Sequence, residues 1–420
     1  MLASIWFVIM TMIQREQFNG LQPQLFDTLR KIVWENTFAT KAIQHALKER
    51  QDWEDPKRAL FSETVYDLIR WWRTLWYLLN MEPSSSDENL QKLLSIYLFS
   101  KKGSITELQK KQGVVIPDVL QRIKTIQSSR ALRESIPDWL DAQGEKELGV
   151  RWETLLTSLN NTPPLTIRVN TLKTTVKHLS QLLQKQGVRV EAFQSMENSS
   201  ETLLIKEKTN VFKLACFHAG LFEVQDAASQ LVSRVLNPQP GMRVIDACAG
   251  EGSKTLHLAA LMKNKGKIIA LDTQEWRLQK LQNRAKKAGA NIIETRVIHS
   301  SKVYKRLRNT ADRVLLDAPC SGLGTLRRNP DIKWKLTLMD LNRIKLLQHD
   351  LLQRYSPLLK PQGIMAYSVC SILPSEGEGQ IERFLKDNPD FHVIKQKRTW
   401  PDTDITDGFY IALLQRISVE

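Results

Sequence analysis

From about residue 238 to the end, short apolar stretches alternate with amphipathic ones, and this pattern constrains the fold more than any other feature. The apolar stretches are "MRVIDACAG", "GKIIALD", "NIIETRVIH", "DRVLLDAPC", "GIMAYSVC" and "GFYIALLQRI". Between them lie "SKTLHLAALMKN", "QEWRLQKLQNRAKKAG" and "LTLMDLNRIKLLQHDLLQRYSPLL", which carry helical spacing. Strands that are apolar on both faces, separated by amphipathic helices, are buried only in a parallel-rich sheet with helices on each side. The expected fold class is therefore α/β, with a Rossmann-like domain over 238–420. Such a sheet places its ligand at the carboxyl ends of the strands.

Two further regions precede it. Over 141–237, "PPLTIRVNTLK", "VRVEAF", "TLLIKE" and "LFEVQD" read as short strands, with the helix "TVKHLSQLLQKQG" after the first. This predicts a small α+β module of a kind that can carry RNA on a sheet face. Residues 1–140 read as a helical domain. In "SETVYDLIRWWRTLWYLLN", Val65, Leu68, Ile69, Trp72, Leu75, Trp76 and Leu79 recur at three- and four-residue spacing. Ser62 and Thr64 offer capping side chains, and the tryptophans read as core rather than as a base-stacking stripe. "PSSSDEN" reads as a loop and "KKGSITELQKKQG" as a basic connector. The apolar start "MLASIWFVIMTMIQREQ" is too short to span a bilayer and lacks an early basic region, so Met10 or Met12 is an alternative initiator.

Charge and cysteine usage narrow the function. A formal net charge of +15 favours a polyanionic partner, with nucleic acid ahead of an anionic membrane surface. The four cysteines, Cys216, Cys248, Cys320 and Cys370, form no C-x-x-C pair and no disulfide framework. No metal site is expected, and free thiols point to the cytoplasm. The working expectation is a monomer that uses no membrane.

"VIDACAGEGSKT" (244–255) reads as strand, glycine-bearing turn and helix. A phosphate loop would need a glycine where Ser253 precedes Lys254, and a dinucleotide fingerprint would need one at Thr255. S-adenosyl-L-methionine fits better, because it has no pyrophosphate to cradle. Asp246, at the strand end, can meet its aminoacyl group, and Asp272, after the next strand, can take the ribose hydroxyls.

Two thiols follow strands on the same edge. "DRVLLDAPCSGLGTLRRNPDIKW" ends its strand at Asp317-Ala-Pro-Cys320, and "GIMAYSVCS" ends its strand at Cys370. Adjacent strands would bring both sulfurs together beside Asp317. Carbon 5 of cytosine is too electron-poor to attack a methyl sulfonium unaided. A thiolate adding to carbon 6 makes an enamine that is nucleophilic at carbon 5. An acid near ring nitrogen 3 is then required, and Asp317 is placed for it if it retains a proton. A second thiol can remove the carbon 5 proton afterwards.

"DAPCSG", together with an aromatic-Ser-x-Cys-Ser strand end, resembles the Sun/RsmB family of RNA (cytosine-5) methyltransferases, bacterial RsmB-like branch. "RRNPDIKW", "TIRVNTLK", "EVQDAASQLV" and "DGFYIALLQR" are similar to it as well, so the resemblance covers about residue 140 to the end. It implies that Cys370 attacks and Cys320 assists release, with Asp317 and Lys254 beside them. DNA cytosine methyltransferases would instead make the Pro-Cys thiol the attacker. The resemblance implies a cofactor set of Asp246, Cys248, Ala249, Gly250, Glu251, Gly252, Ser253, Lys254, Asp272, Ser301, Asp317 and Pro319. The N-terminal helices would correspond to a NusB-like domain by position and helicity.

The chain departs from the family in two places. The usual C-A-A-P-G-G-K-T is here Cys248-Ala-Gly-Glu-Gly-Ser-Lys-Thr, altered at Glu251 and Ser253. An aspartate usual after the third strand is replaced by His299, Ser300 and Ser301. Arg327, Arg328, Lys333 and Trp334 read as RNA contacts, basic residues beside an aromatic, with a solvated loop as the alternative. Arg168 and Asn170 contact RNA or brace a domain junction. The expected partner is RNA, ribosomal RNA first. A tRNA cytosine methyltransferase and a non-catalytic RNA-binding or ribosome-assembly factor are the rivals.

Overall fold

The structure is a computed structural model that describes residues 20–102, 116–194, 200–207 and 209–417. The apolar start and most of the 101–113 connector lie outside the described residues. Two compact units are present: residues 1–146 with 326–336, and residues 147–325 with 337–420.

The second unit holds two sheets. Strands β1 (Leu165–Val169), β2 (Val190–Ala192), β3 (Thr202–Ile205) and β4 (Phe222–Val224) form an antiparallel sheet in the order β2-β3-β1-β4. Its core is Ile167, Val169, Leu179, Leu183 and Phe222, and the buried thiol of Cys216 belongs to it. The larger sheet comprises β5 (Arg243–Asp246), β6 (Lys267–Asp272), β7 (Ile293–Val297), β8 (Ala311–Asp317), β9 (Leu359–Val369), β10 (Phe391–Thr399) and β11 (Phe409–Arg416). Its order is β10-β11-β9-β8-β5-β6-β7. The five strands from β7 to β9 are parallel, while β11 runs antiparallel to both β9 and β10. Apolar side chains cover both faces, as parallel strands require, with Val244 and Leu315 on one side and Ile245 and Leu316 on the other. The order reverses between β5 and β8. The ends of these two strands, Asp246 and Asp317, therefore flank the switch-point crevice.

The first unit is helical, with Gln22–Val33, Ala39–Glu49, Asp55–Arg70, Trp72–Leu79 and Asp87–Lys102 packed around Leu25, Leu29, Leu68, Trp72 and Trp76. Trp72 and Trp76 meet edge-to-face at 5.6 Å, so the tryptophan stripe is core. Ser62 and Thr64 are not caps. The helix begins at Asp55 with Pro56 in its first turn, and both hydroxyls donate back to carbonyls four residues earlier, on Arg58 and Leu60.

Residues 326–336 belong to this helical unit, which corrects the RNA-contact expectation for Arg327, Lys333 and Trp334. A helix end leaves carbonyls or amides without partners, and this segment supplies them. Where one helix gives way to the next at Trp71, the Ile69 carbonyl accepts from Trp334 Nε1 at 2.7 Å and the Arg70 carbonyl from Lys333 Nζ at 2.8 Å. Asp331 Oδ2 accepts from the Ala39 amide at 2.9 Å, and Lys335 Nζ donates to the Ile32 carbonyl at 2.9 Å. Arg70 donates to the Arg327 carbonyl. Lys333 is 2% exposed and Arg327 4%, so neither presents a cation to a phosphate backbone. Burial pushes Lys333 well below the usual lysine range, with Arg70 adding to the effect. Arg328 is half-buried.

Among the described residues, no helix is long and apolar enough to cross a membrane.

Candidate active site

Parallel pairing of β8 and β9 sets Asp317 opposite Ser368. Cys320 lies three residues beyond one strand and Cys370 one residue beyond the other, and their sulfurs are 3.2 Å apart. The loop after Cys320 folds against the one after Cys370, where the Gly324 amide donates to the Cys370 carbonyl at 3.0 Å and the Gly408 amide to the Gly324 carbonyl at 2.9 Å. A Cβ on Gly324 would stand 1.9 Å from the Gly408 oxygen, so the two backbones approach this closely only with glycine there.

Glu376, missed by the sequence reasoning, fixes the sulfur pair from beneath. Its carboxylate is fully buried and accepts from the Ser321 amide (2.8 Å), the Ser321 and Ser371 hydroxyls (2.5 Å each) and the Gln348 side chain (3.0 Å). Ser321 follows Cys320 and Ser371 follows Cys370, so one carboxylate holds both cysteine turns. A Ser after each cysteine, with one acid shortly beyond the second, is the signal that sequence offers.

The Cys320 thiol is raised well above its usual range. The hydrogen bond to Cys370 is the largest cause, followed by burial and by the negative character of Cys370 and Glu376 nearby. Cys320 therefore holds its proton. Beside it, Asp317 accepts from Lys254 Nζ at 2.6 Å and from the Ser368 hydroxyl at 2.7 Å. Both carboxylate oxygens of Asp317 are thus engaged, one by the Lys254 ammonium and one by the Ser368 hydroxyl.

A cleft of about 310 Å³ opens next to this pair, lined by Asp246, the run from Cys248 to Lys254, Asp317 and Ser229. The turn depends on Gly252 (φ 89°), where a Cβ would stand 2.0 Å from Leu281 Cδ1. Asp246 is 1% exposed; Thr255 donates to its Oδ2 at 2.7 Å, and its Oδ1 has no hydrogen-bond partner. Burial pushes Asp246 up to about 7. An unpartnered carboxylate oxygen on a buried residue lining a cleft of this size fits a cationic group such as the ammonium of S-adenosylmethionine. Asp272 accepts from the amides of Gly250 (2.9 Å) and Gln274 (2.8 Å) and so is tied to the same turn. Burial, with Asp246, Asp317 and Asp272 nearby, raises the Cys248 thiol far above its usual range, which makes it unreactive.

Not every expected residue gathers here. Ser301 and Pro319 do not line the cleft, and Ser301 precedes the short helix Lys302–Lys305. Arg168 is 2% exposed and donates to Gln225 Oε1 (2.5 Å) and the Ser253 carbonyl (2.8 Å). Asn170 is buried and donates to the carbonyls of Gly220 and Ala288 at 2.8 Å each. Both brace the small sheet against the larger one, the second of the two roles expected for them. Among the described residues, no cluster of His, Cys, Asp and Glu could hold a metal.

A family model described as 16S rRNA methyltransferase RsmB/F matches residues 233–415. A second, for the ferredoxin-like domain of RsmF/B-like methyltransferases, matches residues 136–211. The probable ribosomal RNA small subunit methyltransferase B of Synechocystis sp. is 31% identical over 93% of this chain and 98% of its own. Ribosomal RNA small subunit methyltransferase B of Pasteurella multocida is 34% identical over 67% of this chain and 65% of its own. Among solved structures, PH0851 superposes with a TM-score of 0.75 at 28% identity, covering 95% of this chain and 98% of its own. A methyltransferase homologue from Pyrococcus horikoshii gives 0.61 at 29% identity, over 69% and 98%.

Proposed function

Because the chain belongs to the RsmB/F family of rRNA methyltransferases, we propose that it methylates carbon 5 of a cytosine in small-subunit ribosomal RNA. The observation that carries this reading is the pair of sulfurs 3.2 Å apart at adjacent strand ends, beside the Lys254–Asp317 pair. S-adenosylmethionine, when bound, supplies the methyl group; Asp246 would hold its ammonium and Asp272 its ribose hydroxyls.

The family resemblance assigns attack to Cys370 and release to Cys320, and the raised Cys320 thiol, hydrogen-bonded to Cys370, supports that order. The Cys370 thiolate forms a bond to carbon 6, and the electron pair released into the ring makes carbon 5 nucleophilic. Lys254, oriented by Asp317, gives ring nitrogen 3 its proton, which prevents charge from building up on the adduct. Once the Cys370 sulfur is bonded to carbon it no longer repels a second thiolate, and the largest cause of the raised Cys320 is gone. Cys320 can then lose its proton to solvent, which is the net proton released by methylation, and as the thiolate take the carbon 5 proton of the methylated adduct. The returning electron pair expels Cys370, nitrogen 3 gives its proton back to Lys254, and the aromatic ring is restored. A stacked target base must first leave its stack or be offered in a loop. The net charge of +15 favours the RNA backbone as a partner.

The test uses protein-free 16S rRNA and S-adenosylmethionine with an isotopically labelled methyl group. Nuclease digestion followed by mass spectrometry is expected to place the label on carbon 5 of cytidine. Label on another base or atom, or none with any ribosomal RNA preparation, would refute the proposal.

A further inference from the structure

The cleft turn departs from the family's P-G-G at Glu251 and Ser253, and both departures have partners. Arg284, on the helix Glu275–Ala288, donates through Nη1 to the Glu251 carbonyl at 2.7 Å. Its Nη2 reaches Ser253 Oγ at 3.1 Å and the carboxylate of Glu223, in β4, at 2.7 Å. Lys280 pairs with the Glu251 carboxylate at 2.8 Å, and Arg168, in β1, donates to the Ser253 carbonyl at 2.8 Å. Two guanidiniums thus grip a four-residue turn, one backed by a Glu223 that is only 7% exposed.

This grip answers a physical need. Proline fixes φ and narrows the conformations open to a loop; a glutamate in its place does neither. The turn cannot drift without consequence, because the Gly250 amide orients Asp272 and the chain from 246 to 254 lines the cleft. We propose that Arg284 is a positioning residue that stiffens this turn in place of the family's proline. The small antiparallel sheet thereby takes part in cofactor affinity through Glu223 and Arg168. The inference rests on the cofactor reading of the cleft given above. Charge-assisted hydrogen bonds from a partly buried guanidinium are strong enough to set the geometry of a short loop.

The experiment is a thermodynamic cycle on the full chain, with S-adenosylhomocysteine binding measured by calorimetry. In the native turn, Arg284→Ala is expected to raise Kd roughly tenfold and Arg284→Lys by less, since both hydrogen bonds to the turn, of the three Arg284 makes, are lost in the first and one can be kept in the second. In a Glu251→Pro/Ser253→Gly background the effect of Arg284→Ala is expected to fall to about twofold or less, because the turn no longer depends on it. Unchanged Kd in Arg284→Ala, or an equal loss in both backgrounds, would overturn the proposal. If the exchanged turn does not fold, Glu223→Gln replaces it and is expected to weaken binding without adding to Arg284→Ala; full additivity would count against the inference. Amide exchange at residues 250–253 of the ligand-free protein is expected to quicken in Arg284→Ala by more than the loss of global stability from the unpaired Glu223 accounts for. That readout decides the positioning role even if the wild-type protein binds no S-adenosylhomocysteine, a result that would remove the cofactor reading instead.

Discussion

Removing the Glu376 carboxylate is expected to uncouple the two cysteine turns, and the structure sets the size of the effect. Four donors converge on it: the Ser321 amide, the Ser321 and Ser371 hydroxyls, and the Gln348 side chain. In Glu376→Ala the hydroxyls can turn to each other, since their oxygens are already 3.3 Å apart. The Ser321 amide has no such alternative in a fully buried site. An unsatisfied buried donor costs about 1–3 kcal/mol, and the empty volume adds to it, so a loss of about 4 kcal/mol is expected. Glu376→Gln keeps the volume and one acceptor oxygen, and is expected to cost about 1–2 kcal/mol. The catalytic effect is larger than the stability effect. A shift of about 1 Å between reacting groups costs on the order of a hundredfold in rate, and Glu376 makes three of the contacts that tie the two turns together. Urea unfolding measures the first quantity and methyl transfer at saturating substrates the second. A Glu376→Gln protein that is folded and retains the wild-type kcat would refute the reasoning.

Other outcomes follow from the same structure. Lys333 is depressed well below 10.5 by burial, so the unfolded chain binds more protons than the folded one on the alkaline side. Stability of the helical unit is therefore expected to rise as pH climbs toward 10.5, and Lys333→Met to abolish that rise in urea midpoints followed by tryptophan fluorescence. The salt dependence of RNA binding is expected to be the same in Lys333→Met as in wild type, whereas a phosphate contact would lower the slope by about one. Asp246 is raised to about 7, so it ionises as pH passes through that value. S-adenosylhomocysteine affinity is expected to strengthen from pH 6 to 8, and Asp246→Asn to flatten the profile. Lys254→Met removes the proton donor and is expected to lower kcat by about a hundredfold or more, read as labelled methyl transfer.

Much of this architecture was legible because apolar periodicity is a local signal. Six strands of the larger sheet announced themselves, and adjacency of β8 and β9 followed from the usual doubly wound order. β10 did not, because "FHVIKQKRT" pairs only with β11 at the sheet edge and is largely polar along its length. The direction of β11 was equally silent, since an apolar strand reads alike parallel or antiparallel. The segment "RRNPDIKW" misled for a different reason. A lysine that caps a helix and one that binds phosphate look the same until its acceptor, here a carbonyl more than 250 residues earlier, is known. Glu376 and Arg284 share this limit, because their meaning lies in partners on other elements. The ion pair of Asp317 with Lys254 likewise joins two elements that a local pattern does not bring together.

The claim that the paired thiols divide attack and release is tested most directly by trapping the intermediate. Cys320→Ala protein is incubated with 16S rRNA and S-adenosylmethionine, then run on a denaturing gel. The account predicts a protein–RNA adduct that persists because the carbon 5 proton is not removed, and that disappears when Cys370 is also replaced. An adduct that survives Cys370→Ala but is lost on replacing Cys320, or full methyl transfer by Cys370→Ala protein, would contradict it.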